Sequence, residues 1–131
     1  MKIISRSIFA LVAVFGILGA ALTAQAGGKA IEGTFIGKSD HITTGKVSIE
    51  KHDGKYIVTL HEDFSLDGAP DPKLGFGNSG SYDGSTTFHK LNNLTGKQVY
   101  ELPAGIDPTA YNEFYIWCEK FSVPLGVASI H

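Results

Sequence analysis

Sulfur is almost missing from this sequence. Its 131 residues hold one cysteine, Cys118, and one methionine, Met1. A single cysteine cannot close an internal disulfide, so no disulfide framework staples the fold. Covalent haem attachment through Cys-x-x-Cys-His is excluded, and iron–sulfur clusters generally need several cysteines. A type-1 copper site wants a compact loop running from Cys to His, usually with an axial Met. Here the first histidine after Cys118 is His131. Arginine is equally scarce, since Arg6 is the only one. Beyond residue 26 the nine basic residues are all lysines against thirteen acidic residues, a net charge of −4 with His neutral. That balance argues against nucleic acid, which is gripped by clustered cations and read by bidentate Arg. Sustained apolar spacing at i, i+3, i+4, i+7 is also absent, which excludes a helical domain. No basic amphipathic helix suggests a membrane surface.

What is present begins with an export signal. Lys2 and Arg6 form a positive start, Ile8 to Leu22 an apolar run, and Ala24-Gln25-Ala26 a small-x-small cleavage pattern. Residues 1–26 therefore read as a secretory signal peptide and residues 27–131 as a single domain. The expected location is periplasmic or extracellular, with no membrane span once the leader is cleaved.

The remainder reads as β structure from end to end. Thr34-Phe35-Ile36, Lys46 to Ile49 and Lys55 to Leu60 are short β-branched and aromatic runs, and Asp53-Gly54 between the last two is a hairpin signal. Further strands are expected at Ser85 to Leu91, Lys97 to Leu102, Glu113 to Cys118 and Val123 to Ile130. One helical turn is expected near Pro108 to Tyr111. Asp71 to Ser85, rich in Gly, Pro, Asn, Ser and Asp, reads as an irregular loop. The expected class is all-β, an antiparallel β-sandwich or partly closed barrel of about seven to eight short strands.

Cys118 is the focus of the chemistry. In an exported chain an unpaired thiol is either buried and inert or free to react outside its own domain. Alternation along Glu113 to Lys120 puts Phe114, Ile116 and Cys118 on one face, Tyr115 and Trp117 on the other. If the first face is the core, Cys118 is buried, and an outward Tyr115–Trp117 pair could stack on sugar rings or shield the thiol. A thiol-dependent hydrolase would need a histidine beside Cys118, for which His41, His61 and His89 are candidates. The five histidines show no i, i+2 or i, i+4 pairing, so no intrinsic metal or cofactor is expected. Asp67-Gly68-Ala69-Pro70-Asp71 offers oxygen atoms, although such a turn more commonly sets backbone geometry.

An ordered set of motifs resembles one family. Gly33-Thr34-Phe35 and His41-Ile42-Thr43-Thr44-Gly45-Lys46-Val47 resemble the opening of the DM-thirteen domain, also described as an electron-transfer domain. Asp63-Phe64, Gly68-Ala69-Pro70-Asp71 and Gln98-Val99-Tyr100-Glu101-Leu102-Pro103 follow in order. Ile116-Trp117-Cys118-Glu119-Lys120-Phe121-Ser122-Val123-Pro124 closes the set. The resemblance implies a small β domain whose cysteine takes part in redox transfer, a role that falls on Cys118. Trp117, Asp71 and His41 are the accompanying binding candidates. It also implies a redox or cell-surface protein partner, with any haem or metal supplied by that partner. This chain departs from the family pattern at Ala69 and in Pro72-Lys73-Leu74-Gly75-Phe76. The alternative reading is a secreted protein- or glycan-binding module in which Cys118 only fills the core.

Overall fold

The computed structural model describes residues 30–131; the expected leader lies outside the described residues. Eleven strands run in chain order: β1 (Ile31–Gly37), β2 (Thr43–Thr44), β3 (Lys46–His52), β4 (Lys55–Leu60), β5 (Ser65–Leu66), β6 (Pro72–Asn78), β7 (Ser81–Asp83), β8 (His89–Lys90), β9 (Gln98–Glu101), β10 (Glu113–Cys118) and β11 (Val123–Ser129). The main sheet follows the order β7–β6–β10–β11–β1–β3–β4–β9, with β8 also paired to β6. Every pairing is antiparallel, and the sheet curls into a partly closed barrel. Two separate edges result, at β7 and at β9.

The side-chain period of two builds the interior. Val47 and Ile49 of β3, Val58 and Leu60 of β4, Leu74 and Phe76 of β6, Phe114 and Ile116 of β10, and Leu125 of β11 are all fully or nearly fully buried. Phe35, Phe76 and Phe114 meet edge to face, with Phe76 and Phe114 centroids 5.1 Å apart. Such contacts add to apolar burial the attraction between ring edge and ring face.

Short hairpins fix the register. Asp53 (φ 52°) and Gly54 (φ 80°) form the two-residue turn between β3 and β4, where His52 faces Lys55. Positive φ at both central residues is the geometry whose twist matches that of the flanking strands. The single turn expected near Pro108 is a 3-10 turn, Pro108–Ala110, capped by the Asp107 carboxylate, which accepts from the Thr109 N–H.

Two expectations fail. The segment expected to be a loop contains β6, a strand buried in mid-sheet, joined to β7 by a second two-residue turn at Ser79 (φ 50°) and Gly80 (φ 88°). Conversely, the strand expected over Ser85 to Leu91 shrinks to His89–Lys90, preceded by a 3-10 turn at Gly84–Thr86. The reason is local. Thr86 turns its hydroxyl into the edge of β6, accepting from the Phe76 N–H at 2.7 Å, while its own proton is shared between the Asp83 carbonyl at 2.7 Å and the Phe76 carbonyl at 3.1 Å. A side chain completes the ladder there, so the backbone need not remain extended.

The loop leading into β9 is tied to β5 and the residues before it. The Leu66 N–H donates to the Leu94 carbonyl and the Gly96 N–H to that of Phe64. The Gln98 side chain accepts from the Asn93 N–H and donates to the Asn93 carbonyl, tying residues 93–98 into a closed turn. Among the described residues no helix is long and apolar enough to cross a membrane.

Candidate functional site around Cys118

Strand β10 lies between β6 and β11, and its alternation sorts two chemistries onto opposite faces of the sheet. Phe114, Ile116 and Cys118 join the core, as period-two reading expects. Cys118 is 1 % exposed, at the end of the strand opposite Pro72 of β6 and Val123 of β11. Its S–H donates to the Pro70 carbonyl across 3.3 Å. Immediately afterwards the Glu119 N–H donates to the Asp71 carbonyl, and the Ser122 N–H to the carbonyl of Cys118 itself. The thiol therefore sits where β10 turns into β11, under the segment Asp67–Asp71.

That segment is held at both ends. At its start, Asp67 accepts from the Ile42 N–H at 3.0 Å and pairs with His41 Nδ1 at 2.8 Å. The Asp67 N–H returns a bond to the Ile42 carbonyl. The His41 hydrogen bond, then the Ile42 N–H, hold the Asp67 carboxyl below the usual carboxylate range. At its end, Asp71 adopts φ 53°, a conformation that costs an L side chain about 1 kcal/mol or more. Its carboxylate stands 3.5 Å from Lys73 Nζ. Pro70 and Asp71 themselves are exposed. The segment is a strap: anchored by His41, passing over the thiol, and entering β6 through a strained residue.

Three of the four candidate residues thus belong to one construction. Asp71 and Cys118 are joined through adjacent backbone, and His41 fixes the far end of the strap. Trp117 does not join them; it points out of the opposite face. A nucleophile–base pair is not formed. His41 bonds to Asp67, His61 Nε2 to Ser48 Oγ at 2.9 Å, and His89 Nδ1 to the Lys90 carbonyl. The thiol's own partner is a carbonyl, a hydrogen bond that requires the S–H proton. Among the described residues, no group of three or more His, Cys, Asp or Glu side chains is disposed to hold a metal ion.

The outer face corrects a further expectation. Tyr115 is buried, only 2 % exposed, and Trp117 is half-buried. The cause is Tyr82 of β7, whose ring stacks on Trp117 at 4.3 Å and 11° and meets Tyr115 edge to face at 5.1 Å. The Tyr82 ring lies over Gly75, where an added Cβ would collide with it, and a Cβ at Gly77 would meet Tyr115. Glycines on the outer face of β6 leave the room these rings occupy. Sequence reading missed the Pro70 carbonyl, because it is backbone. It missed Tyr82 because β7 went unrecognised, although Ser79-Gly80 was a usable turn signal.

Comparison with known proteins gives one match. The family described as Electron transfer DM13 matches residues 34–130, which spans all eleven strands except the first three residues of β1. Curated proteins and solved structures give no match. The match takes in the His41 anchor, the strap, the Tyr82–Trp117 stack and Cys118 within one continuous stretch, and it supports a general electron-transfer role. On this coverage the chain belongs to the Electron transfer DM13 family.

Proposed function

We propose that this chain is an extracytoplasmic electron-transfer domain that works through Cys118, with the Asp67–Asp71 strap controlling access to the thiol. The observation that carries the reading is the single S–H···O contact between Cys118 and Pro70, which closes the core end beneath a segment that is exposed at Asp67, Pro70 and Asp71, half-buried at Gly68 and Ala69, and strained at Asp71. Displacing that strap frees the sulfur without dismantling the sheet, because the pairing of β10 with β11 and with β6 from Leu74 onward does not depend on it. The partner is a protein of the cell surface or periplasm carrying a disulfide. The freed thiolate attacks one sulfur of that disulfide; one S–S bond breaks as the Cys118–partner bond forms, and the Cys118 proton ends on the released thiol. An external thiol then attacks the Cys118 sulfur and releases the partner's second thiol, and a second external thiol frees Cys118 as the external disulfide forms, so two electrons pass from two external thiols to the partner disulfide. Where the partner instead carries a haem or metal, the freed thiolate is the ligand this chain supplies.

The near-complete burial of Cys118 favours a second reading, a binding module in which the thiol is core packing. Native alkylation of Cys118, followed by intact mass spectrometry beside a denaturant unfolding curve, separates the two. A strap-gated thiol labels through local opening, faster than the population of globally unfolded chain allows, and His41→Ala accelerates it further. Labelling that tracks global unfolding in both the parent chain and His41→Ala overturns the redox reading.

A further inference from the structure

The outer face of β10 carries oxidisable groups that the Cys118 reading does not use. Tyr82, Tyr115 and Trp117 are in mutual contact: Tyr82–Trp117 at 4.3 Å, Tyr82–Tyr115 at 5.1 Å and Tyr115–Trp117 at 6.4 Å between centroids. Trp117 is the only tryptophan of the chain, and it is partly open to solvent. Tyr115 is buried at the inner end of the cluster, yet its hydroxyl donates to Glu113 Oε1 at 2.8 Å. The same carboxylate oxygen accepts the Gly80 N–H at 2.8 Å, which fixes its position. A carboxylate within this distance of a phenol is placed to take its proton. Tyr82, by contrast, pairs with the Thr87 hydroxyl, a poor proton acceptor.

The geometry points to a second redox site, in which Trp117 gives up an electron at the surface and Tyr115 refills it, passing its proton to Glu113. The external acceptor is a one-electron oxidant such as a ferryl haem or a peroxide-derived radical. The sum is one phenol and one carboxylate plus oxidant giving a tyrosyl radical, a carboxylic acid and oxidant reduced by one electron. A one-electron reductant reverses it, and the proton returns from Glu113. Tyr82, stacked on Trp117 and touching Tyr115, bridges the two in direct ring contact. Gly75 gives this bridge its seat on β6. The site is separate from Cys118, which lies on the other face of the sheet, so it stands or falls independently of the thiol.

Pulse radiolysis of the full chain with azidyl radicals, a one-electron oxidant that takes tryptophan, tests it. The tryptophanyl absorption should decay as tyrosyl absorption grows, at a first-order rate independent of protein concentration. Tyr115→Phe keeps the ring and the fold but removes the O–H, and should abolish that phase. Glu113→Gln should slow it, because an amide cannot take the proton. Cys118→Ser should leave it in place, which separates this site from the thiol. A tryptophanyl radical that decays only by encounter between molecules, or at an unchanged rate in Tyr115→Phe, overturns the proposal. Circular dichroism on each variant confirms that the fold is retained before the rates are compared.

Discussion

On its inner face β10 carries Phe114, Ile116 and Cys118, packed in a dry core and closed by an S–H bond to a backbone carbonyl. On its outer face the same six residues present Glu113, Tyr115 and Trp117, roofed by one tyrosine and partly open to water. The inner group gains its order from volume filling, so access requires something to move. The outer group is ordered by hydrogen bonds and ring stacking, so access already exists at Trp117. One strand thus holds a buried thiol on one face and, on the other, a ring cluster open to water only at Trp117, separated by the thickness of a sheet.

Breaking the inner face should cost most. Phe114 is fully buried and meets the rings of Phe35, Phe76 and Phe88, so Phe114→Ala is expected to destabilise the domain by about 3–5 kcal/mol in urea unfolding. The outer face can be broken without deleting a ring. A methyl at Gly75 occupies the place of the Tyr82 hydroxyl. Gly75→Ala should therefore lift Tyr82 off Trp117, cost about 1–3 kcal/mol through overpacking, and change the tryptophan fluorescence. Cys118→Ser sharpens the contrast, since a serine hydroxyl can still reach the Pro70 carbonyl but loses apolar volume. About 1–2 kcal/mol of lost stability is expected, together with complete loss of thiol transfer to a partner disulfide if the proposed function holds.

The smallest effect distinguishes the faces by pH. The Asp67 carboxyl is depressed by His41 and Ile42, so its contribution is complete above the unfolded value near 3.8 and disappears as pH falls through the lower folded value. Acid should loosen the strap first, seen as faster exchange of the Asp67 amide, and Asp67→Asn should flatten that dependence. The Tyr115 phenol is pushed the other way, by burial first and then by its bond to Glu113. Its contribution is complete below the unfolded value near 10.0 and is lost as pH rises through the higher folded value. Alkali should therefore weaken the domain through the outer face, and Tyr115→Phe should remove that part of the alkaline slope in a pH series of urea unfolding.

Much of this arrangement was legible in the sequence. The alternation of Glu113 to Cys118 assigned the two faces of β10 correctly but not their burial, because Tyr82 covers Tyr115 on the outer face. The Asp53-Gly54 turn and the Pro108 turn were readable from residues whose φ preferences are strong. What was hidden depended on partners distant in the chain. Glycine within a strand normally counts against it, so Leu74-Gly75-Phe76-Gly77 read as irregular. Its glycines become intelligible only when Tyr82 and Tyr115 are seen lying over them. The thiol's partner was hidden for a different reason, since a proline carbonyl leaves no trace in side-chain pattern. His41, noted for its motif, bonds not to Cys118 but to Asp67, at the far end of the segment that reaches the thiol at Pro70.

The curled sheet stops short of closure, and its two ends have a bearing on crowding. An open sheet edge is a template on which another chain can add a strand. Here one edge belongs to β7, three residues long and followed at once by a 3-10 turn. The other belongs to β9, four residues long, beginning beside the closed Gln98–Asn93 turn and followed within two residues by Pro103. Each terminus of the sheet offers too few free amides to nucleate a ribbon. The domain is thereby built to resist edge-to-edge strand addition by copies of itself.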